Sequence, residues 1–158
     1  MRGLILTAIL LAPAATTAVA QMPNPYGPPI TSETAKKAAA AALAEARRNN
    51  WTMAAAVVDT GGDLVYFEKI DGTQAASTLI AQDKARSAVR FKRPTKDMQD
   101  VLAGGGAGLR FLALQGAVPV EGGVPLVVDG KIVGAIGVSG GTSAQDGQCA
   151  RAGADAVK

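Results

Sequence analysis

The sequence predicts an α+β domain whose strands are antiparallel. Two pairs of apolar runs are each separated by a tight turn, at residues 60–63 in the first pair and 129–130 in the second, which is the pattern of β-hairpins. Helical patterns precede, separate and follow the two hairpins. Because strands joined by tight turns run antiparallel, this order of elements argues against a doubly wound parallel sheet.

The first half of the domain is predicted to be a helix, a hairpin and a second helix. Thr31 or Ser32 can cap the first helix, Glu33 lies in its first turn, and Arg47 and Arg48 complement the dipole at its end. Its alanine-rich middle favours close packing against a sheet. The hairpin strands flank a Thr-Gly-Gly-Asp turn. The predicted bounds are 31–48 for the first helix, 53–59 and 64–68 for the strands, and 74–90 for the second helix.

The second half is predicted to continue with a short helix after Pro94, short strands, a hairpin and a last helix. An Asp-Gly turn between two apolar runs is the strongest hairpin signal in the chain. A glycine loop lacks the Gly-Lys-Ser/Thr ending of a phosphate-binding loop, and we expect it to be a mobile cover over a pocket. The predicted bounds are 95–102 for the helix, 104–108 for the glycine loop, 111–114 and 118–120 for the short strands, 124–128 and 131–138 for the hairpin, and 142 or 143 to the C-terminus for the last helix.

Residues 1–20 have the pattern of a cleavable signal peptide. Arg2 supplies a positive charge, residues 4–11 form a short apolar run, and Ala-Val-Ala at 18–20 is a small-x-small cleavage site. A membrane anchor is the alternative, but a spanning helix needs about 20 apolar residues. We therefore expect a periplasmic or secreted protein that is free of the membrane after cleavage. An extended, proline-rich lead at 21–30 then precedes a single domain at 31–158.

Composition excludes several kinds of site. The 16 basic and 13 acidic side chains nearly balance and aromatic residues make up 4% of the chain, so we expect no nucleic-acid partner. The sequence contains no histidine, which excludes a Ser-His-Asp triad and most zinc sites. Cys149 is the sole cysteine, so no internal disulfide can form. It is either a buried, inert thiol, which we favour, or a ligand or redox group.

Lys84 is the candidate functional residue on the second helix. Helical spacing places it in a stripe of small and apolar side chains: Ser77, Ala81, Ala88 and Phe91. A lysine in such a stripe either bends toward water or projects its ammonium into a pocket.

Two further groups could bind an anion. A basic cluster around Phe91 and Pro94 either meets the carboxylates of a ligand or forms a solvated surface; its members are Arg90, Lys92, Arg93 and Lys96. The Ser-Gly-Gly-Thr run at 139–142 leads into the last helix, where free N–H groups suit an anion. Gln145 fits a capping box, so plain capping explains the same residues. Asp146 lies in that first turn, where it favours the helix dipole but would repel an anion. We expect a pocket between the Lys84 helix, the loop at 122–123 and residues 142–146.

Several motifs occur in an order that resembles a known family. The motifs are Val-Val-Asp-Thr-Gly-Gly-Asp-Leu at 57–64, Ala-Gln-Asp-Lys-Ala-Arg-Ser-Ala at 81–88, Arg-Pro-Thr at 93–95, Gly-Gly-Val-Pro-Leu at 122–126, Val-Gly-Ala-Ile-Gly-Val-Ser-Gly at 133–140, and Gln-Asp at 145–146. In this order and spacing they resemble the GlcG/HbpS-type haem-binding family, which includes the C-terminal domain of some corrinoid adenosyltransferases. The resemblance covers about residues 31–157.

The resemblance implies a profilin-like, three-layer α/β/α domain with an antiparallel sheet of about five strands, assembled into a homo-oligomer. It also implies haem or a related tetrapyrrole as the small-molecule ligand. Because the chain has no histidine, the iron would be held by another ligand type, such as Lys, Met, Tyr or a Thr oxygen, or without a strong axial bond. The candidate ligand-binding residues are Lys84, Phe91, Arg93, Thr95, Gly122, Gly123, Ser139, Gly140, Gln145 and Asp146.

The leading hypothesis is therefore an exported small-molecule-binding protein that binds or senses haem, with no catalytic residue assigned. One alternative is an enzyme that acts on a small acidic metabolite with Lys84 as base or electrostatic stabiliser. Another is an oligomeric module that only interacts with partners.

We predict that the exported protein begins at Gln21, because the cleavage pattern ends at Ala20. Intact-mass measurement of material recovered outside the cytoplasm tests this. Exported protein that still carries residues 1–20 would contradict it.

Overall fold

A computed structural model describes residues 23–158, so the predicted signal peptide and its cleavage site lie outside the described residues. No helix within residues 23–158 is long and apolar enough to cross a membrane. The helices are α1 (Ser32–Arg48), α2 (Ser77–Arg90), α3 (Thr95–Ala103) and α4 (Ser143–Asp155), and the strands are β1 (Ala54–Asp59), β2 (Leu64–Lys69), β3 (Gly123–Val128) and β4 (Lys131–Ser139).

The four strands form one antiparallel sheet in the order β2-β1-β4-β3. The two predicted hairpins, β1-β2 and β3-β4, are both present. They join into one sheet because β1 pairs with β4, with Val57 opposite Ile136. The predicted α+β class and antiparallel sheet are therefore confirmed.

Helices cover both faces of the sheet. Ala55 and Val57 of β1 pack in one core with α1 and α4, whereas Val58 packs in another with α2. The side chains of β1 thus alternate between the two faces, as a strand buried on both sides requires. Thr31 caps α1, since its side chain accepts a hydrogen bond from the amide of Thr34 at 3.2 Å.

The prediction of about five strands was wrong. Residues 111–113 belong to a 3-10 helix, Gly106–Ala113, that packs against the end of α3, and Leu114 follows its end. A Cβ at Gly108 would lie 2.0 Å from the carbonyl oxygen of Val101, so glycine permits this packing. Residues 118–120 make a tight turn in which the amide of Val120 donates to the carbonyl of Val118 at 2.8 Å. Short apolar runs fit helix and strand alike, which explains the error.

The predicted glycine loop at 104–108 is only partly a loop, because residues 106–108 lie in that 3-10 helix. None of its glycines lines either of the cavities described below, so it does not cover them. The second helix begins at Ser77, not at residue 74.

The N-terminal segment 23–30, which we call the strap, lies along β4. The amide of Gly27 donates to the carbonyl of Ile132 at 2.8 Å, and the amide of Ile132 donates to the carbonyl of Pro25 at 2.8 Å. β1 ends at Asp59, which pairs with Gly134 of β4, and the strap pairs with β4 at Ile132. The strap therefore lies beside β4 beyond the end of β1. Ile30 is buried in the core and fixes the end of the strap next to α1.

Glycines let α2 lie directly on the sheet. A Cβ at Gly137 of β4 would lie 2.0 Å from the carbonyl oxygen of Ala81, and a Cβ at Gly123 of β3 would lie 2.3 Å from that of Lys84. Both contacts are far shorter than van der Waals distance. The backbone of α2 therefore occupies the space that side chains at positions 123 and 137 would fill.

We predict that Gly137→Ala lowers the free energy of unfolding by about 2 kcal/mol, because the added methyl group must push α2 away from β4. Gly104→Ala is the matched control, since a Cβ there meets only backbone oxygens at 3.5 Å or more. Denaturant unfolding of both variants measures the difference. Equal stability of the two variants would contradict the close packing of α2.

Candidate functional site

The predicted pocket-forming elements do meet, but an ion pair fills the space between them. The Lys84 ammonium lies 2.7 Å from Oδ2 of Asp146, and it donates to the carbonyl oxygen of Val138 at 3.3 Å. Lys84 and Asp146 are only 1% and 3% exposed. Lys84 therefore neither bends to water nor points into an open pocket, and we call this pair the buried ion pair.

Gly122 closes the buried ion pair on one side. Its φ is +131°, and a Cβ there would lie 2.8 Å from Nζ of Lys84 and 2.7 Å from the carbonyl oxygen of Val138. Glycine is thus required both by the backbone conformation and by the space. The other oxygen of Asp146, Oδ1, accepts a hydrogen bond from the amide of Gly141 at 3.0 Å. Asp146 is therefore a partner of the lysine, and it also fixes the loop before α4.

Burial raises the pKa of Asp146 above its ordinary value, and the hydrogen bond from Lys84 opposes that rise, as do the amides of Gly141 and Gly140. The carboxylate therefore depends on the ammonium to remain charged in an environment that excludes water. Since removal of one partner of a buried pair leaves the other charge uncompensated, the pair constrains which side chains the fold tolerates here.

Four other predicted residues contact the rest of the protein and do not line either cavity. Thr95 is buried, and its hydroxyl accepts a hydrogen bond from the amide of Gly123 at 2.9 Å, which ties α3 to β3. Ser139 shares a hydrogen bond of 3.1 Å with Ser77. Gln145 forms the predicted capping box with Thr142. Gly140 lies in the turn after β4, where a Cβ would be 2.3 Å from the carbonyl of Thr52.

Cys149 is a buried thiol. It has no exposed surface, and burial raises its pKa to about 12. A thiol with this pKa is almost entirely protonated near neutral pH, so it is a poor nucleophile and a poor metal ligand. Among residues 23–158 no group of three or more Cys, Asp or Glu side chains could hold a metal ion.

A larger opening lies at the end of α2. We call it the main cavity; its volume is about 560 Å³, and it is lined by Pro23, Asn24, Lys92, Arg93, Pro94, Asp97, Val124, Pro125, Val127 and Ile132. This volume falls within the range of roughly 300–1,000 Å³ that is usual for small-molecule sites. Apolar side chains from β3 and β4 form one part of the lining, and two adjacent cations form another.

A smaller opening of about 220 Å³, the side cavity, adjoins the main cavity. The two share Pro94, Asp97 and Val124 in their linings. Gly122, Gly123 and Gly147 also line the side cavity, together with the ion-paired Glu121 and Arg151. Gly122 and Gly123 are the predicted residues that border an opening here, and they separate it from the buried ion pair.

Lys92 occupies an unusual backbone position at the main cavity. The amide of Lys92 donates to the carbonyl of Val89, and the amide of Arg93 donates to that of Ala88, each at 3.2 Å. These two bonds form a Schellman motif, whose left-handed position is usually glycine. Lys92 takes that position with φ +53°. A side chain there costs roughly 1–2 kcal/mol.

The cationic end of Lys92 has an aromatic partner. Its Nζ lies 4.1 Å from the centroid of the Tyr26 ring. Such a cation–π contact contributes about 0.5–2 kcal/mol, which is of the same size as the backbone cost. Arg93 is exposed, and its Nε donates to the carbonyl of Phe91 at 3.2 Å. In the described part of the chain neither Lys92 nor Arg93 forms an ion pair with a carboxylate.

The structure thus separates the predicted site residues into two places. Arg93 lines the main cavity, and Phe91 and Thr95 lie beside it in the chain. The sequence analysis included Lys92 in a basic cluster but missed Pro23, Asn24 and the residues of β3 and β4 in the lining. The proline-rich composition of residues 21–30 predicted an extended segment there. No local sequence pattern predicted that this segment would lie beside the end of α2.

Comparison with known proteins identifies close relatives. A family model described as "Haem degrading protein HbpS-like" matches residues 30–155. Protein GlcG of Escherichia coli strain K12 is 40% identical over 110 residues, which cover 70% of this chain and 81% of GlcG.

Two solved structures resemble the whole domain. A double mutant of HbpS from Streptomyces reticuli has a TM-score of 0.77 at 32% identity, covering 92% of this chain and 99% of that one. The PduOC:heme complex has a TM-score of 0.73 at 26% identity, covering 82% of this chain and 96% of that one.

We predict that Lys84→Met lowers the free energy of unfolding by about 3–5 kcal/mol, because Asp146 remains buried without its partner. The double variant Lys84→Met with Asp146→Asn should lose less, since no lone charge remains and the Asn oxygen can still accept from Gly141. Denaturant unfolding measures both.

The destabilisation by Lys84→Met should also depend on pH. Without Lys84 the folded-state pKa of Asp146 rises further above the unfolded value, so ionisation in the folded protein becomes costly as pH rises above about 4. The single variant should therefore be closer to wild type at pH 4 than at pH 7. A stability loss independent of pH and equal in the single and double variants would contradict the ion-pair interpretation.

Proposed function

The chain belongs to the HbpS-like family, and from this premise we propose that it binds haem, with the main cavity as the site. One observation carries the proposal: two cations without carboxylate partners stand beside an apolar surface in a cavity of about 560 Å³. The structural relative PduOC, whose solved structure is a complex with haem, supports the choice of ligand.

The residues of the main cavity fit the chemistry of haem. Haem is a flat, largely apolar ring with two carboxylates on one edge. Lys92 and Arg93 would hold those carboxylates through charge-assisted hydrogen bonds. Val124, Val127 and Ile132 would contact the apolar ring and exclude water from it.

The iron would have a ligand other than histidine, because the sequence contains none. The lining offers the carboxylate of Asp97 and the amide oxygen of Asn24. When bound, haem supplies an iron centre whose reactivity depends on such a ligand and on the polarity around it. The residues of this chain would bind the carboxylates through Lys92 and Arg93 and cover the apolar ring with the side chains of β3 and β4.

The geometry does not favour an enzyme built on Lys84. A general base needs an accessible, unprotonated amine within reach of its substrate. The Lys84 ammonium is instead buried and bonded to Asp146 and Val138. The residue therefore contributes to the framework of the site.

We also propose that the protein is exported and forms a homo-oligomer. Export is supported by the signal pattern of residues 1–20. Self-association is supported by exposed leucines on the 3-10 helix, since Leu109 and Leu112 are 54% and 71% exposed and apolar groups of this size favour burial. Light scattering of the purified protein measures the oligomeric state, and a monomer at all concentrations would exclude it.

We predict that the tag-free protein binds haemin with a dissociation constant below about 10 μM, which corresponds to roughly −7 kcal/mol.

Lys92→Gly should weaken binding by about 1–3 kcal/mol, because it removes a charge-assisted contact. The variant should nevertheless keep its stability within about 1 kcal/mol, since glycine suits the left-handed position. A haemin titration followed by absorbance, together with denaturant unfolding, separates the two effects.

Arg93→Ala should weaken haemin binding in the same way, and Lys36→Ala on the exposed face of α1 is the control for loss of a positive charge. Absence of haemin binding by wild type would overturn the proposed function. Unchanged affinity in both cavity variants would place the ligand elsewhere.

A further inference from the structure

We propose that the strap, residues 23–30, is a wall of the ligand site, that Tyr26 fastens it there, and that ligand binding and strap docking stabilise each other. The inference rests on the proposed function, since the ligand is the haem-like, carboxylate-bearing ring assigned to the main cavity. It adds a positioning residue, Tyr26, and a ligand-contacting segment that the sequence analysis left outside the domain.

The strap reaches the main cavity at Pro23, the first residue that the structure describes. Pro23 and Asn24 line the main cavity opposite residues of α3, β3 and β4. Pro23 offers a rigid apolar surface that suits the face of a ring, and Asn24 offers an amide that can donate or accept a hydrogen bond. Without the strap the cavity would lose one side, and more of a bound ring would face water.

Tyr26 connects the strap to the end of α2 by two different contacts. Its hydroxyl donates to the carbonyl oxygen of Val89 at 2.8 Å. The same carbonyl accepts the amide of Lys92 in the Schellman motif, so the hydroxyl adds a bond to the helix end. Its ring lies under the ammonium of Lys92, with 4.1 Å between Nζ and the centroid. Tyr26 therefore holds both the strap and a ligand-binding cation.

The docked strap depends on few contacts. Apart from Tyr26, residues 23–27 are held mainly by the paired bonds at Gly27 and Ile132, and Tyr26 itself is 42% exposed. Ile30, at the opposite end of the strap, is buried in the core. A segment held in this way can detach without unfolding of the domain, and such weakly held segments respond to ligands.

Ligand binding and docking of the strap should stabilise each other, because both depend on the same residues. A ring that touches Pro23 and Asn24 binds better when the strap is docked, and by linkage it must then hold the strap in place. Lys92 contributes to both the docked strap and the ligand site, because its ammonium contacts Tyr26 and its side chain belongs to the lining of the main cavity. Loss of Tyr26 should therefore weaken binding although Tyr26 does not line the cavity.

The test compares Tyr26→Leu with Tyr66→Leu, the same change at the other tyrosine of the chain. Tyr66 lies on β2, where its hydroxyl bonds Glu68, away from the strap. Haemin titration and amide hydrogen exchange are measured on wild type and both variants. Tyr26→Leu should weaken haemin binding about tenfold and speed exchange at the amides of Gly27 and Ile132, whereas Tyr66→Leu should do neither.

In wild type, haemin should slow exchange at the amides of Gly27 and Ile132. Tyr26→Phe keeps the ring under Lys92 and removes only the hydroxyl, so an intermediate effect supports the proposal even if Tyr26→Leu folds poorly.

Two outcomes separate the proposals. If wild type binds haemin, but Tyr26→Leu and Tyr26→Phe bind it equally well and haemin leaves the exchange of Gly27 and Ile132 unchanged, the strap is not part of the site and the proposed function stands. If wild type does not bind haemin at all, the proposed function fails, and the ligand role of the strap fails with it.

Discussion

The buried ion pair between Lys84 and Asp146 is the constraint on which the arrangement of the other elements depends. Lys84 lies on α2, on one face of the sheet, and Asp146 lies on α4, on the other. Their 2.7 Å contact passes the end of the sheet, where Gly122 leaves room for it. Desolvation of both charges is expensive, so the pair is tolerated only in this closed geometry. It joins the two helical layers and fixes the loop before α4 through Gly141.

The main cavity is built beside this polar centre and does not include it. The start of β3 is held by the packing of Gly123 against the backbone of Lys84 and by the hydrogen bond from its amide to the hydroxyl of Thr95. Thr95 opens α3, directly after Arg93 and Pro94, which line the cavity. A framework of buried, satisfied polar groups thus sets the distance between the end of α2 and the apolar surface of β3. The residues of this framework are therefore distinct from those that line the main cavity.

Lys92 occupies a left-handed backbone position at the end of α2 where glycine is usually preferred. A helix end that closes with a Schellman motif favours glycine, and here it carries a lysine with φ +53°. Local rules are expected to fail where a residue is kept for a function. The lysine is adjacent to Arg93, contacts Tyr26 of the strap and lines the main cavity. The strained position, the aromatic contact and the cavity thus support one another as evidence for a binding site.

Local sequence patterns were enough to predict both hairpins, a cap of the first helix at Thr31 or Ser32, the capping box of the last helix, the α+β class and the convergence of Lys84, Gly122 and Asp146. Turn residues, capping side chains and helical spacing act over a few residues, so they can be read without the fold. The run at 111–120 was mistaken for strands because pairing needs a partner that only the fold supplies. The tertiary structure alone decided that Lys84 is sealed by Asp146 and not open to a ligand. It also brought the strap to the end of α2, a contact between Tyr26 and Val89 that spans 63 residues of chain and therefore leaves no local signal.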